Sequence, residues 1–303
     1  MTMRICSLLP GATEVVAALG LADDLVAISH ECDYPPEIRP KPVIIKSAVD
    51  PQRTSSPAID RQVHEAMRNG DGLYRIDESL LNSVSPDLII TQSLCAVCAV
   101  TPTEVQRALA GLKRMPRILS LDPTDLESVL RDIEAIGSAT GSDAQARRLV
   151  QGLRDRIARV QALVQGEPQR RVACLEWLEP LYCAGHWVPE MVHLAGGSDL
   201  LATAGAPSVR IAWEQVVEAK PDVLVLMPCG FSIDRTRSEL DLLTSRLGWN
   251  DLPAARKQAV FAVEGAAYFN RSGPRLVDGV ELLAALFHPR RFENRLPEGA
   301  CRI

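Results

Sequence analysis

Short apolar runs with strand character alternate along this chain with segments of helical periodicity. The predicted strands span residues 4–9, 25–29, 42–45, 87–91, 117–121, 171–176, 222–227 and 259–263. Helical patterns lie between them, for example at 12–19 and 277–287. Strands that alternate with helices build parallel sheets from β–α–β units. The sequence therefore predicts an α/β fold, and 303 residues are enough for the core to divide into two.

One long amphipathic segment separates the two halves of this pattern. Its apolar positions follow one another at spacings of three and four residues, which is typical of a helix with one buried stripe. They are Leu149, Leu153, Ile157, Val160 and Val164. A helix over 143–165 would be roughly 35 Å long, and it stops before Pro168 because proline cannot continue a helix.

That helix is either an ordinary packed helix or a rigid strut between two lobes. A weak internal repeat favours the strut, since residues 80–90 and 215–225 both show a helix, a Pro-Asp turn and an apolar strand. We therefore predict two Rossmann-like lobes with parallel sheets, joined by one long α-helix. The predicted limits are 1–121 for the first lobe, 122–167 for the helical connector and 168–303 for the second lobe.

Composition and charge exclude several classes of protein. The net charge is −5, from 33 basic and 38 acidic residues, which argues against a nucleic-acid partner. No apolar run approaches the ~20 residues of a membrane span. The first apolar run ends at Pro10, too short for the core of an export signal, so we expect a cytoplasmic protein, periplasmic only if a leader was removed.

Polar and aromatic residues collect directly after the predicted strands, where α/β proteins bind their ligands. The predicted ligand-binding residues are His30, Glu31, Asp33, Tyr34, Gln92, Glu176, Trp177, His186, Trp187, Tyr268, Phe269, Asn270 and Arg271. The aromatic members suit a flat conjugated ligand in the cleft between the lobes. His30 is either a metal-binding imidazole or a hydrogen-bonded loop residue. Arg271 and Arg275 flank a turn from which they can hold a carboxylate or phosphate in bidentate fashion.

The eight cysteines offer a second kind of site. Cys95 and Cys98 have the spacing of a zinc or iron–sulfur corner, and Cys32 and Cys229 could complete the ligand set. The same pair can also be unligated thiols or a redox pair. No nucleophile elbow, Walker loop, GxGxxG or HExxH motif occurs, so an enzymatic interpretation rests on the cysteines alone.

Four short motifs occur in order along the chain. They lie at 7–14 (SLLPGATE), 33–36 (DYPP), 213–216 (WEQV, followed by PD at 221–222) and 268–275 (YFNRSGPR). They resemble segments of the periplasmic-binding-protein superfamily whose two lobes are joined by one helix. Within that superfamily they are most similar to the vitamin B12-binding proteins of ABC importers. The resemblance implies a cobalamin or related corrinoid in the cleft and importer docking at Glu78 and Glu214. Residues 50–75 look like an insertion that replaces a ligand-contacting loop of the family.

Three functional hypotheses follow. The first is a binding protein for a corrinoid or related metal-tetrapyrrole, without catalytic activity. The alternative is a cytosolic enzyme or metal-binding protein on the same scaffold, with zinc, an iron–sulfur cluster or a dithiol at the cysteines. The third is a conventional ABC-importer subunit that has lost its leader.

Overall fold

The computed structural model describes residues 3–47, 49, 54–69, 73–92, 102–112 and 114–303. The strands are β1 Ile5–Ser7, β2 Leu25–Ile28, β3 Ile45–Ser47, β4 Tyr74–Ile76, β5 Leu88–Thr91, β6 Arg117–Ser120, β7 Arg170–Leu178, β8 Leu181–Cys183, β9 Gly197–Asp199, β10 Val223–Leu226, β11 Val260–Val263 and β12 Ala300–Arg302. The helices are α1 Pro10–Ala18, α2 Ser56–Asn69, α3 Glu78–Val84, α4 Pro102–Ala110, α5 Leu126–Thr140, α6 Asp143–Val164, α7 Val188–Leu194, α8 Trp213–Ala219, α9 Ile233–Arg237, α10 Asp241–Thr244, α11 Pro253–Arg256, α12 Gly265–Tyr268 and α13 Leu276–Phe287. Short 3-10 turns lie at Ala22–Asp24, Pro36–Ile38, Trp249–Asp251 and Pro289–Arg291.

The strands form one main sheet in each half of the chain. The first has the order β2-β1-β5-β6, with every pair parallel. The second has the order β12-β11-β10-β7-β8, with β9 also paired to β7. It is parallel from β11 through β10 and β7 to β9, whereas β12 and β8 run antiparallel at its edges. Strands β3 and β4 form a separate antiparallel pair.

The central strands are buried on both faces, as expected for parallel sheets covered by helices. In the first lobe Ile5 belongs to the core with α1, α5 and α6, while the next residue, Cys6, belongs to the core with α3 and α4. In the second lobe Val225 packs with α7 and α13, while Leu224 packs with α8 and α10. We call the sides of the two sheets that carry α6 the connector faces, and the opposite sides the far faces.

Helix α6 joins the lobes as one continuous element. Ala146 and Val150 lie in the core of the first lobe, and Val160 and Val164 lie in the core of the second. Ile157 packs against both cores. The predicted helix over 143–165 is confirmed to within one residue, because Gln165 already has an extended backbone. The prediction of an α/β fold with two lobes joined by a long helix is therefore confirmed.

Helix α5 strengthens this connection. Its Ile133 lies in the core of the first lobe, while its Val129 lies in the core of the second. Arg156 of α6 forms ion pairs with Asp278 and Glu281 of α13, the latter at 2.6 Å. The connector is thus a pair of helices attached to both lobes. Among the helices in the described part of the chain, none is both long and apolar enough to cross a membrane.

Candidate functional site

The loops that follow the strands of the two sheets meet at the boundary between the two lobes, which we call the cleft. Gly11, in the first turn of α1 after β1, lies against Ser272, in the segment between α12 and α13. Asp33, after β2, forms an ion pair with Arg271 across the same boundary. Ligands of α/β proteins bind beyond the carboxyl ends of parallel strands, so this cleft is the candidate site.

Four charged side chains join the lobes at the connector faces. Glu14 of α1 accepts two hydrogen bonds from Arg275, at 2.9 Å from Nε and 2.5 Å from Nη2. Arg271 pairs with Asp33 at 2.5 Å, lies 3.6 Å from Glu14, and donates to the carbonyl oxygen of Glu31 at 2.9 Å. We call Glu14, Asp33, Arg271 and Arg275 the clamp. Arg275 holds a carboxylate in bidentate fashion, as predicted, but that carboxylate belongs to the protein.

Glu14, Arg271 and Arg275 of the clamp are largely buried, and Arg275 lies beside two aromatic rings. The side chains of Glu14 and Arg275 are 3% and 16% exposed. Burial opposes the charge on Arg275, yet the bonds to Glu14 outweigh this effect and raise its pKa. The guanidinium lies 4.0 Å from the ring centroid of Tyr34 and 6.0 Å from that of Tyr268. Cation–π attraction therefore holds one aromatic ring from each lobe beside the clamp.

Two glycines allow the backbones of the lobes to meet next to the clamp. A methyl group on Gly11 would overlap the carbonyl group of Ser272, and one on Gly273 would lie 3.2 Å from the carbonyl oxygen of Gly11. The motifs at 7–14 and 268–275 therefore touch each other. Both motifs serve the junction of the lobes.

A second link joins the lobes at the far faces. The carboxylate of Glu239, between α9 and α10, accepts hydrogen bonds from the backbone N–H of Ser56, at 3.0 Å, and from Ser56 Oγ. Arg235 pairs with Glu239 at 2.7 Å and donates to the carbonyl oxygen of Thr54 at 2.9 Å. We call Thr54, Ser56, Arg235 and Glu239 the latch. Burial would raise the pKa of Glu239, but its bonds to Ser56 and Arg235 hold that pKa below the usual value.

His30 is the prominent side chain of the first-lobe wall. It follows β2, is exposed, and its ring centroid lies 5.5 Å from that of Tyr74. Its Nδ1 lies 3.4 Å from Ser29 Oγ. Partial burial lowers the pKa of His30, despite the nearby Glu31, so the imidazole is neutral near pH 7. A neutral imidazole is the form that binds metals. Gln92 lies half-buried directly after β5.

Trp177 is the prominent side chain of the second-lobe wall. It lies half-buried near the carboxyl end of β7, beside Glu176, with its ring centroid 5.1 Å from that of Phe231. Phe231 is fully buried, and the guanidinium carbon of Arg235 lies 4.4 Å from its ring centroid. Phe231 thus packs against Trp177, and Arg235 of the latch packs against Phe231.

Three predicted ligand contacts lie elsewhere in the second lobe. Trp187 and Phe269 are buried in the core at the connector face, and Trp187 Nε1 donates to the carbonyl oxygen of Phe269 at 2.7 Å. His186 lies in a turn with φ of 52°, and its N–H donates to the carbonyl oxygen of Ala206. The prediction placed His186 and Trp187 at the cleft because they follow a strand. Strand β8 runs antiparallel to β7, however, so its carboxyl end points back along the sheet, away from the cleft.

Tyr268 and Asn270 lie half-buried beside the clamp. Burial raises the pKa of Tyr268, so its phenol stays neutral and able to donate a hydrogen bond. The Oδ1 atom of Asn270 is buried and has no hydrogen-bond partner among the described residues.

The structure describes two of the four cysteines predicted to bind metal, Cys32 and Cys229. Cys32 is buried in the first lobe, with Sγ 3.0 Å from Thr13 Oγ1, and burial raises its pKa to about 11. Its place in a metal site with Cys95 and Cys98 stays a prediction, since a bound metal itself deprotonates a thiol ligand. Cys229 is half-buried after β10, and Cys95 and Cys98 lie outside the described residues. No group of three or more His, Cys, Asp or Glu side chains in the described ranges could hold a metal ion.

The two predicted docking glutamates lie on different lobes. Glu78 begins α3 in the first lobe and Glu214 lies in the first turn of α8 in the second, and both are exposed. Glu214 borders a cavity of about 460 Å³ that Arg210 and Arg246 also line.

Sequence reasoning missed the latch and one half of the clamp. Ser56 and Glu239 are 183 residues apart, and Glu14 lies on the buried side of its helix, so no local pattern pairs these residues. A signal did exist for α2, because Ile59, Val63 and Ala66 follow helical spacing after a Ser-Pro start.

A family model described as periplasmic binding protein matches residues 5–267, which include most of both sheets. The chain therefore belongs to the periplasmic binding protein family. This confirms the resemblance found in the four motifs.

Three similar proteins define the relationship further. The chain is 24% identical over 298 residues to YvrC of Bacillus subtilis, an uncharacterised ABC transporter substrate-binding lipoprotein, covering 96% of this chain and 82% of that protein. It is 27% identical over 284 residues to the vitamin B12-binding protein of Vibrio cholerae serotype O1, covering 92% and 86%. The solved structure of the apo periplasmic haem-binding protein RhuT from Roseiflexus sp. RS-1 superposes with a TM-score of 0.70 at 23% identity, covering 96% and 100%. The comparisons support a binding protein and give no support to the enzyme hypothesis.

Proposed function

We propose that this protein is the substrate-binding component of an ABC importer and holds a corrinoid or a related metal-tetrapyrrole in the cleft. The observation that carries the proposal is the pair of opposed walls, with the neutral imidazole of His30 on one lobe and the supported indole of Trp177 on the other. The similarity to a vitamin B12-binding protein supports a corrinoid as the ligand.

His30 is the proposed metal contact. Ser29 Oγ lies beside Nδ1, so Nε2 is the nitrogen through which His30 would bind the metal of the ligand. Neutral imidazole binds cobalt and iron through this lone pair. In this proposal the residue anchors the ligand and sets its orientation.

Burial of the flat macrocycle supplies most of the affinity. Even a micromolar dissociation constant corresponds to about −8 kcal/mol, more than one coordinate bond to an exposed imidazole delivers after the costs of association. Trp177 from the second lobe, with Tyr34 and Tyr268 beside the clamp, provides the apolar surface. Aromatic faces suit a conjugated ring.

Docking to the importer is proposed at Glu78 and Glu214. Their position on exposed first turns, one on each lobe, supports simultaneous contact with two transmembrane subunits. Charge reversal at either position, Glu78→Arg or Glu214→Arg, should reduce ligand-dependent ATPase stimulation in a reconstituted importer while leaving ligand affinity unchanged.

The ligand proposal is tested by titrating cyanocobalamin, aquocobalamin and haemin into the protein, followed by calorimetry and visible absorbance. Aquocobalamin has an exchangeable axial position, so its spectrum should shift on binding, and His30→Ala should abolish that shift. Trp177→Ala should weaken binding of both cobalamins. His193→Ala is the matched control, because His193 is exposed on α7, away from the cleft.

The outcomes separate the possibilities. Binding of haemin but neither cobalamin would move the proposal to a haem carrier. Absence of binding for all three compounds at tens of micromolar would reject a metal-tetrapyrrole ligand.

A further inference from the structure

The clamp is surrounded by more buried contacts between the lobes than the latch is. This difference indicates where the cleft opens. The inference rests on the proposed function, because it concerns how a ligand reaches the cleft. The clamp lies at the connector faces, where α5 and α6 already join the lobes. The latch lies at the far faces, on the other side of both sheets.

The clamp side is packed as a continuous core. Val277 of α13 belongs to the second lobe in sequence, yet it is buried in the core of the first lobe with Ile5 and Val15. The backbones of Gly11 and Ser272 are in contact next to it. Separating the lobes here would expose buried apolar surface and the ion pairs of Glu14, which is costly.

The latch side depends on a lightly packed helix. Among the side chains of α2 that the structure describes, only Ser56 and Ile59 are buried. The remaining face carries charged side chains at helical spacing, namely Asp60, Arg61, His64, Glu65 and Arg68. These residues line a cavity of about 290 Å³ that separates α2 from Arg210 of the second lobe. Elements with few buried contacts open at low free-energy cost.

The second lobe also completes the start of α2. The first N–H groups of a helix have no partner within the helix, and a negative charge is favoured at this end. The carboxylate of Glu239 binds the N–H and the hydroxyl of Ser56, which is fully buried. Arg235 holds that carboxylate and reaches Thr54. Closure of the lobes therefore stabilises the first turn of α2, and opening leaves it without this cap.

We propose that the cleft opens at the latch with the clamp as the pivot, so that ligand enters and leaves between α2 and α9–α10. Ser56, Arg235 and Glu239 are positioning residues that set the rate of ligand exchange. Phe231 packs against Trp177, and Arg235 packs against Phe231. Opening moves Arg235 away from the first lobe, and this also frees the Trp177 ring that would contact the ligand.

The first test needs no ligand. Amide hydrogen exchange is measured by mass spectrometry on the full-length protein and on the variants Glu239→Gln and Ser56→Ala. Each variant should speed exchange about tenfold in peptides from 54–69, as expected for the loss of one charge-assisted hydrogen bond. Peptides from 10–18 and 265–279, which contain Glu14, Arg271 and Arg275 of the clamp, should keep their wild-type rates. Glu134→Gln is the control, because Glu134 is exposed on α5 and makes the same change of charge.

The second test uses cyanocobalamin as the probe in stopped-flow experiments. Glu239→Gln should raise the association and dissociation rate constants together by about tenfold, and so change the dissociation constant by less than about threefold. A change confined to the dissociation constant, with the association rate constant unchanged, would identify the latch as an ordinary ligand contact.

Two results of the exchange experiment would overturn the proposal. One is an unchanged rate in 54–69 for both variants, and the other is an equal increase at 54–69 and at the clamp. If wild-type protein binds no cyanocobalamin, the proposed ligand fails, while the hydrogen-exchange result still decides where the cleft opens.

Discussion

Arg275→Met tests whether the clamp contributes strongly to stability. Methionine keeps much of the aliphatic stem but leaves the Glu14 carboxylate, 3% exposed, without its bidentate partner. Removing one member of a buried ion pair costs about 3–5 kcal/mol, and loss of the contact with Tyr34 adds about 0.5–1 kcal/mol. Because Arg275 is 16% exposed and water screens part of the charge, we expect the lower end, about 3 kcal/mol. Urea unfolding followed by circular dichroism and tryptophan fluorescence measures the loss.

The same experiment has a pH signature and an internal control. Burial raises the pKa of Glu14, and loss of Arg275 should raise it further, so the variant should lose more stability at pH 8 than at pH 4. Arg256→Met breaks an ion pair with Asp251 in which the side chains are 64% and 74% exposed, and should cost less than about 1 kcal/mol. In the double variant Glu14→Gln/Arg275→Met no buried charge is left unpaired, so part of the stability should return. A loss below about 1 kcal/mol for Arg275→Met, or strict additivity in the double variant, would refute the reasoning.

Three further predictions concern the two cores. Burial raises the pKa of Asp199 from 3.8 to about 6, so the folded state should lose about 2 kcal/mol as pH rises from 4 to 7. Asp199→Asn should remove that loss, and urea unfolding at both pH values checks it, with Asp23→Asn at an exposed site as the control. Cys32, whose pKa is raised by burial to about 11, should react with iodoacetamide much more slowly than Cys229, as measured by mass spectrometry of labelled peptides; equal rates would contradict its burial. Leu153→Ala in the buried stripe of α6 should cost about 2–5 kcal/mol in the urea assay, and a cost below about 1 kcal/mol would contradict its place in the core.

The parts of the fold that depend on local pattern could be predicted from the sequence. Helix α6 could be placed because its apolar stripe, from Leu149 to Val164, continues over about four turns and Pro168 prevents its extension. Strand β10 could be placed because its four residues form a buried apolar run after a Pro-Asp turn. Strands β8 and β12 have three residues each, too few for a recognisable alternation. The lobe limits and the cellular location remain predictions.

The parts of the site that depend on chain direction and on long-range pairing could not be predicted. His30 and Trp177 could be placed near the boundary of the lobes because each follows or ends a parallel strand, and the ends of parallel strands meet at one edge. His186 was placed at the same edge because nothing in the sequence reveals that β8 is antiparallel. One member of the clamp was predicted to hold a carboxylate, namely Arg275. The sequence could not show that this carboxylate is that of Glu14 on α1.

Three of the four motifs that carry the family resemblance hold the lobes together, so they bear on the fold rather than on the ligand. Glu14 and Gly11 come from the first motif, Asp33 from the second, and Arg271 and Arg275 from the last, and all of them serve the clamp or its backbone contact. A junction of this kind suits any cargo that fits between two lobes, and a fold does not determine the ligand it carries. The choice of ligand must therefore reside in side chains that the clamp leaves facing the cleft. His30 and Trp177 are the side chains proposed to do so, and their variants, rather than the motifs, test a corrinoid against other ligands.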